Sequence, residues 1–227
     1  MYYMNKKKIT AVVPVRKGSQ RVINKNFKPF ADKSLLEVKL DVLTKIKVID
    51  EIIVNTDSNR AFEIADKYGV IKQEREPYYT SSKCTGSEFF QNIAETTDTD
   101  YLIYSPCTAP LVKEITYYNF INKFIGYLEI GYDSLTTVRV LKHHMWLDDK
   151  PLNYDPKNSP NTQDLPDIFK LTYSISMAPR KVMVECRNVV CNKPKFYKIN
   201  NVEGIDIDDQ IDFDFAEFMY RRIQNEF

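Results

Sequence analysis

A short stretch near the start of the chain, Arg16-Lys-Gly-Ser-Gln-Arg-Val-Ile-Asn-Lys-Asn26, gathers the groups that polyphosphate chemistry uses. With Lys28, the cations Arg16, Lys17, Arg21 and Lys25 place five positive charges in thirteen residues. One Gly and one Ser among them keep backbone amides accessible to phosphate oxygens. The spacing is not the Walker pattern, which needs a second Gly ahead of Lys and Ser/Thr, nor the three-glycine dinucleotide pattern. The plain alternative is a solvated basic loop.

A second group lies far along the chain, in Gly204-Ile-Asp-Ile-Asp-Asp-Gln-Ile-Asp212. In extended chain, a period of two sends Asp206 and Asp208 to one face and Ile205 and Ile207 into the core. Two carboxylates side by side suit Mg²⁺, which takes one or two protein carboxylates and completes its octahedron with phosphate oxygens and water. The alternative is that these acids serve the start of the last helix, a task open to Asp209 or Asp212. A triphosphate requires both a cationic cradle and a divalent ion, so the two segments support one another.

The elements that must bring these segments together are legible as an alternation. Residues 9–15 form a continuous apolar run of strand length, as in a central parallel strand covered on both faces. Ser34-Leu-Leu-Glu37 reads as a capping box opening a helix through Leu40, Leu43 and Ile46. A strand over 51–55 and a helix over 58–68 follow, the helix closed by Gly69 in the left-handed conformation. A weak strand at 70–73, a helix opened by Thr85-Gly-Ser-Glu88, a strand at 101–104, a helix near 113–126 and a strand near 134–140 continue the rhythm. Such alternation predicts an α/β fold, a doubly wound, mainly parallel Rossmann-like sheet. Ligands of such sheets bind at the carboxyl ends of the strands.

Residues 141–171 break the pattern with His143, His144, Trp146 and four prolines. This stretch reads as an excursion from the sheet, either a lid or a dimerisation arm. Pro179 suits a short helix start, 196–199 a late strand and 211–223 a final amphipathic helix. The whole, residues 1–227, reads as one domain.

Composition narrows the function. Lys plus Arg total 32 against 31 for Asp plus Glu, so no global field draws the chain to nucleic acid or to an anionic membrane. The amino terminus is basic, but the apolar run after it is short and contains Pro14, which fits neither a signal segment nor a membrane span. Cys84, Cys107, Cys186 and Cys191 lack a C-x-x-C pairing and read as free thiols of a cytoplasmic protein.

Val13-Pro-Val-Arg-Lys-Gly-Ser-Gln20 followed by Lys25-Asn26 resembles the signature of the acylneuraminate cytidylyltransferases, also called CMP-sialic acid synthetases. The similarity extends over most of the chain, through Ile52-Ile-Val-Asn-Thr-Asp57, Arg75-Glu-Pro77, Thr85-Gly-Ser87, Thr108-Ala-Pro110 and Gly204-Ile-Asp-Ile-Asp208. The resemblance implies attack of an acceptor hydroxyl on the α-phosphorus of CTP, Mg²⁺ as the ion, and a homodimer. It implies that Arg16, Gly18, Ser19, Lys25 and Asn26 hold the nucleotide phosphates, that Arg75, Gly86 and Ser87 lie near the cytidine, and that Asp206 and Asp208 bind the metal. Backbone carbonyls around Val15 would meet the exocyclic amine that distinguishes cytosine from uracil.

The acceptor side departs from the family pattern. Pro106 stands two residues before Thr108 where the family usually has Gln, and Phe169-Lys-Leu-Thr-Tyr173 stands where Arg-Pro-Asn-Gly often follows an aromatic residue. Thr108, His143, Lys170 and Tyr173 are the candidate acceptor contacts. The leading expectation is an acidic sugar, a nonulosonate or related 2-keto sugar acid. A non-sugar acid such as a phosphonate, and a nucleotide-binding module without catalysis, are the alternatives.

Overall fold

The computed structural model describes residues 6–19 and 21–225. Residues 1–5, Gln20 of the first signature, and residues 226–227 lie outside the described residues.

In chain order the elements are β1 (Ile9–Val15), α1 (Leu35–Leu43), β2 (Glu51–Thr56), α2 (Asn59–Tyr68), β3 (Ile71–Glu74), the single-turn α3 (Pro77–Thr80), α4 (Gly86–Thr96), β4 (Tyr101–Tyr104) and α5 (Glu114–Glu129). They continue with β5 (Ser134–Leu141), β6 (Trp146–Leu147), β7 (Lys150–Pro151), β8 (Ile168–Pro179), α6 (Arg180–Cys186), β9 (Pro194–Lys198) and α7 (Gln210–Asn225). Seven strands form one sheet in the order β3-β2-β1-β4-β8-β5-β9. All neighbours pair in parallel except β8, which runs antiparallel to both β4 and β5.

Apolar alternation along β1 explains its central place. Ala11, Val13 and Val15 join a large core with α1, α2, α5 and α7, whereas Val12 faces a smaller core with Ile93 of α4 and Met183 of α6. A strand covered on both faces has no reason to alternate with polar residues, and β1 does not. The helix starts follow the sequence: Ser34 and Thr85 each form a complete capping box, with Glu37 and Glu88. Gly69 ends α2 at φ 63°, the left-handed conformation expected of it.

Two features differ from the sequence expectations. The excursion ends at Ile168 rather than Leu171, because β8 begins there and continues for twelve residues that periodicity alone did not reveal. Its Thr172, Ser174 and Ser176 are buried, and two of them are matched across the ladder, Thr172 to Thr137 and Ser176 to Thr136. Buried hydroxyls paired strand to strand give a polar sequence to an interior strand. The second difference is that Cys186 and Cys191 are joined as a disulfide, with Cα atoms 5.6 Å apart, so that only Cys84 and Cys107 are free thiols. The tight turn after α6, with Arg187 at φ 54°, brings the two sulfurs together.

Candidate active site

A cleft of about 340 Å³ opens where the carboxyl ends of β1, β3 and β4 meet the amino end of α4. Arg16, Ser19, Lys25, Asn26, Arg75, Gly86, Thr108 and Asp208, all named from the sequence, line it. Pro106 lines it too.

The basic loop is tied to the fold by its own contacts. The Lys17 amide donates to Asp57 Oδ1 at 2.7 Å, tying the loop to the end of β2. Gly18 takes φ 79°, which an L side chain rarely adopts. Farther along, Asn24 turns the chain at φ 54°, and its carbonyl accepts from the Phe27 amide at 2.8 Å. Val22 and Phe27 are buried beneath the loop, so its polar atoms are held outward by apolar anchors.

The loop and the acidic segment meet. Arg21 pairs with Asp208 at 2.7 Å, Lys28 donates to Gln210 at 2.8 Å, and Lys25 donates to the Ile207 carbonyl between the two carboxylates. The 205–208 segment is extended without being a strand, and its alternation holds: Ile205 and Ile207 are buried, Asp206 is half-buried and Asp208 is exposed. Behind it, the Ile207 amide donates to the Thr108 carbonyl at 2.8 Å, and the Thr108 side chain is near enough to Asp206 to favour its charged form. Asp212 accepts from the amides of Asp208 and Asp209, so the helix start has its own cap and leaves Asp206 and Asp208 out of that task.

Burial works on both signs of charge. It pushes the Lys25 ammonium below the usual lysine range, with the Asp206 and Asp208 carboxylates opposing. The Asp206 carboxyl is pushed up by burial, and the neighbouring Asp208 charge adds to the rise against the Thr108 side chain. Arg75, only 5% exposed, donates from Nε to Asn55 Oδ1 at 2.6 Å and from Nη2 to the Asn55 carbonyl at 2.7 Å. Its guanidinium sits 4.7 Å from the Phe89 ring centroid, and burial lowers its pKa to about 10.

Other predicted residues stand at the margins. Val15 is buried at the end of β1, next to the Pro14 that lines the cleft, and Ser87 is exposed one residue beyond Gly86. Lys170 is exposed on β8, close enough to Asp206 for its charge to oppose the rise in that carboxyl's pKa. Tyr173 sits at an irregularity in β8 with φ 51°, its ring 6.4 Å from Phe90. His143 does not line the cleft; it is exposed on the excursion, and its carbonyl accepts from Asn153 at 2.9 Å. His144 is engaged within the same excursion, with Nε2 3.1 Å from both the Pro160 carbonyl and Ser159 Oγ.

Sequence inspection passed over an aromatic wall, Phe89 and Tyr104, which lines the cleft with Phe90 packed 5.2 Å from the Tyr104 ring. The adjacent Phe89-Phe90 pair directly after the Thr85 cap was the available signal. Arg21 was counted among the cations without a role, and its ion pair with Asp208 gives it one.

The cytidylyltransferase family model matches residues 10–124. N-acylneuraminate cytidylyltransferase of Escherichia coli O18:K1:H7 is 22% identical over 218 residues, which cover 92% of this chain and 51% of that protein. The post-translational flagellin modification protein B of Campylobacter coli is 22% identical over 94% of this chain and 95% of its own length. The chain therefore spans about half the length of the first of these relatives and nearly all of the second. Among solved structures, CMP:2-keto-3-deoxy-manno-octonic acid synthetase complexed with CTP superposes with a TM-score of 0.69 at 12% identity, over 95% of this chain and 99% of that one. The 4-diphosphocytidyl-2C-methyl-D-erythritol synthase of Anaerococcus prevotii gives 0.67 at 15% identity, over 96% of this chain and 100% of that one. These two likenesses establish the α/β fold with its mainly parallel, Rossmann-like sheet. Since the matched residues carry the basic loop, Arg75, the Thr85 cap and Thr108, and make up half of the chain, the chain belongs to the cytidylyltransferase family.

Proposed function

We propose that this chain transfers CMP from CTP to a hydroxyl of an acidic sugar, a nonulosonate or related 2-keto sugar acid, and releases pyrophosphate. The observation that carries the proposal is the meeting of the basic loop with the 206–208 segment at one cleft, Arg21 on the Asp208 carboxylate and Lys25 on the Ile207 carbonyl. The names of the family relatives, an N-acylneuraminate cytidylyltransferase among them, supply the acceptor class.

The acceptor hydroxyl oxygen forms a bond to the α-phosphorus and gives up its proton to solvent as the bond to the bridging oxygen breaks, and the pyrophosphate leaves with that electron pair. Such a reaction is catalysed mostly by positioning and charge neutralisation. Arg16, Ser19, Lys25 and Asn26 bind the phosphates and neutralise charge on the departing group. Arg75 and Gly86 border the nucleoside, with Phe89 and Tyr104 as apolar walls. The two carboxylates fit Mg²⁺: they are oxygen donors one residue apart, with Asp206 half-buried and Asp208 exposed toward solvent. Bound there, Mg²⁺ would neutralise phosphate charge. Among the described residues no group of three or more His, Cys, Asp or Glu forms a richer site.

Replacing Asp208 with Ala removes one of the two carboxylates. Turnover measured as pyrophosphate release from CTP with Mg²⁺ and an acidic-sugar acceptor should fall by at least about a hundredfold with the melting temperature unchanged. Ordinary turnover would remove the metal assignment. A second reading keeps CTP and exchanges the acceptor for a phosphonate or other non-sugar acid. It is favoured by Pro106, which lines the cleft and has no N–H to offer an acceptor. A panel of acceptors with labelled CTP separates the two readings, since labelled product from nonulosonic acids alone would eliminate the second. The homodimer is proposed to form through the excursion, which exposes Trp146, Leu147 and Leu152.

A further inference from the structure

Lys39 on α1 is 1% exposed, and among the described residues no carboxylate lies within ion-pair reach of it. Its ammonium donates to the Ala109 carbonyl at 2.7 Å and to the Tyr117 hydroxyl at 3.1 Å. Tyr117, itself fully buried on α5, shares a 2.5 Å hydrogen bond with Ser105, the residue that follows β4. A buried charge without a counter-ion costs several kcal/mol, and a Met side chain would fill a similar volume without that cost. Joining two helices is thus a poor account of it.

What the ammonium grips is the 105–110 turn, and the turn carries part of the site. Pro106, Cys107 and Thr108 form one wall of the cleft. The Thr108 carbonyl accepts from the Ile207 amide at 2.8 Å, so the turn holds the residue between the two carboxylates. Resting on the cytidylyltransferase reading, we propose that Lys39 is a positioning residue for the carboxylate pair: it fixes the Ala109–Pro110 peptide through the Ala109 carbonyl, and the Thr108 carbonyl one residue earlier in turn fixes Ile207, which stands between Asp206 and Asp208. Lys25 and Cys107 line the cleft, whereas Lys39 does not and grips the same turn from the protein interior.

The test is Lys39→Met, with Tyr117→Phe as a milder companion that keeps the ring and removes one acceptor. Amide hydrogen exchange of the nucleotide-free protein should show Ile207 exchanging at least about tenfold faster, while the β2 amides keep their protection. Under saturating CTP, kcat should fall roughly 10- to 100-fold and the Mg²⁺ concentration needed for half-maximal rate should rise, as when an outer-shell partner is lost. KM for CTP should stay within about threefold, because Arg16 and Lys25 are untouched. A merely structural lysine would instead speed exchange across all strands together and leave kcat and the Mg²⁺ requirement alone. That outcome, or unchanged Ile207 exchange in both variants, overturns the proposal. Faster Ile207 exchange in a protein whose wild type never turns over CTP leaves the positioning intact and sinks the cytidylyl-transfer reading.

Discussion

The charges of Lys25 and Asp206 each favour the other's ionised form, yet burial moves both groups toward neutrality. The pair is therefore held in readiness for a ligand bearing both signs. The sign of the pH effect follows. A native pKa raised above the unfolded value means that the folded protein holds the Asp206 proton more tightly, so this residue's contribution is fully present below the ordinary aspartate range and is lost as pH rises through the native pKa. Asp206→Asn should accordingly stabilise the nucleotide-free protein at neutral pH by roughly 0.5–2 kcal/mol, and the gain should vanish in acid. Denaturant melts at two pH values check it, and a loss of stability at neutral pH would contradict the assignment. Lys25→Met should weaken CTP binding about 10- to 100-fold by calorimetry, the worth of one charge-assisted contact. Both residues were legible in the sequence, because a charge cluster and a period of two are one-dimensional signals. Arg75's double grip on Asn55 was not, since it requires knowing that the chain after β3 passes over the end of β2.

At the level of elements, local chemistry wrote the helix starts plainly. Thr85 and Glu88 exchange hydrogen bonds at the start of α4, and the same start presents Thr85 and Gly86 to the cleft. Thr85→Ala should destabilise the protein by about 1 kcal/mol in denaturant melts, and KM for CTP should rise more than kcat falls, because the cap positions a binding surface rather than a reacting group. Equal effects on both constants would argue against that placement. The strand β8 was hidden for the opposite reason. Its Thr172, Ser174 and Ser176 look like solvent-facing residues until Thr136 and Thr137 of β5 are known to lie across from them. The hydrogen bonds that make an interior strand out of a polar sequence are between segments some forty residues apart.

In the molecule as a whole, β1, β3 and β4 border the cleft, while the excursion hangs between β5 and β8. The excursion shows a side of 52% exposed Trp146, 65% exposed Leu147 and 55% exposed Leu152, grouped by the β6–β7 hairpin. Polar substitution of Trp146 and Leu147 together should convert a dimer to a monomer in light scattering while leaving the melting temperature within a few degrees. A wild type that runs as a monomer, or a variant that stays dimeric, would place the subunit contact elsewhere. The alternation of strands and helices exposed the sheet's first half to inspection, whereas the antiparallel return was disguised by the prolines and histidines that precede it.

The excursion leaves the sheet at Leu141 and re-enters at Ile168, and those two residues are paired with each other. It thus hangs from a closed neck. Whatever is grafted between them inherits an intact ladder, so the excursion can change in length and sequence without disturbing the strands that border the cleft.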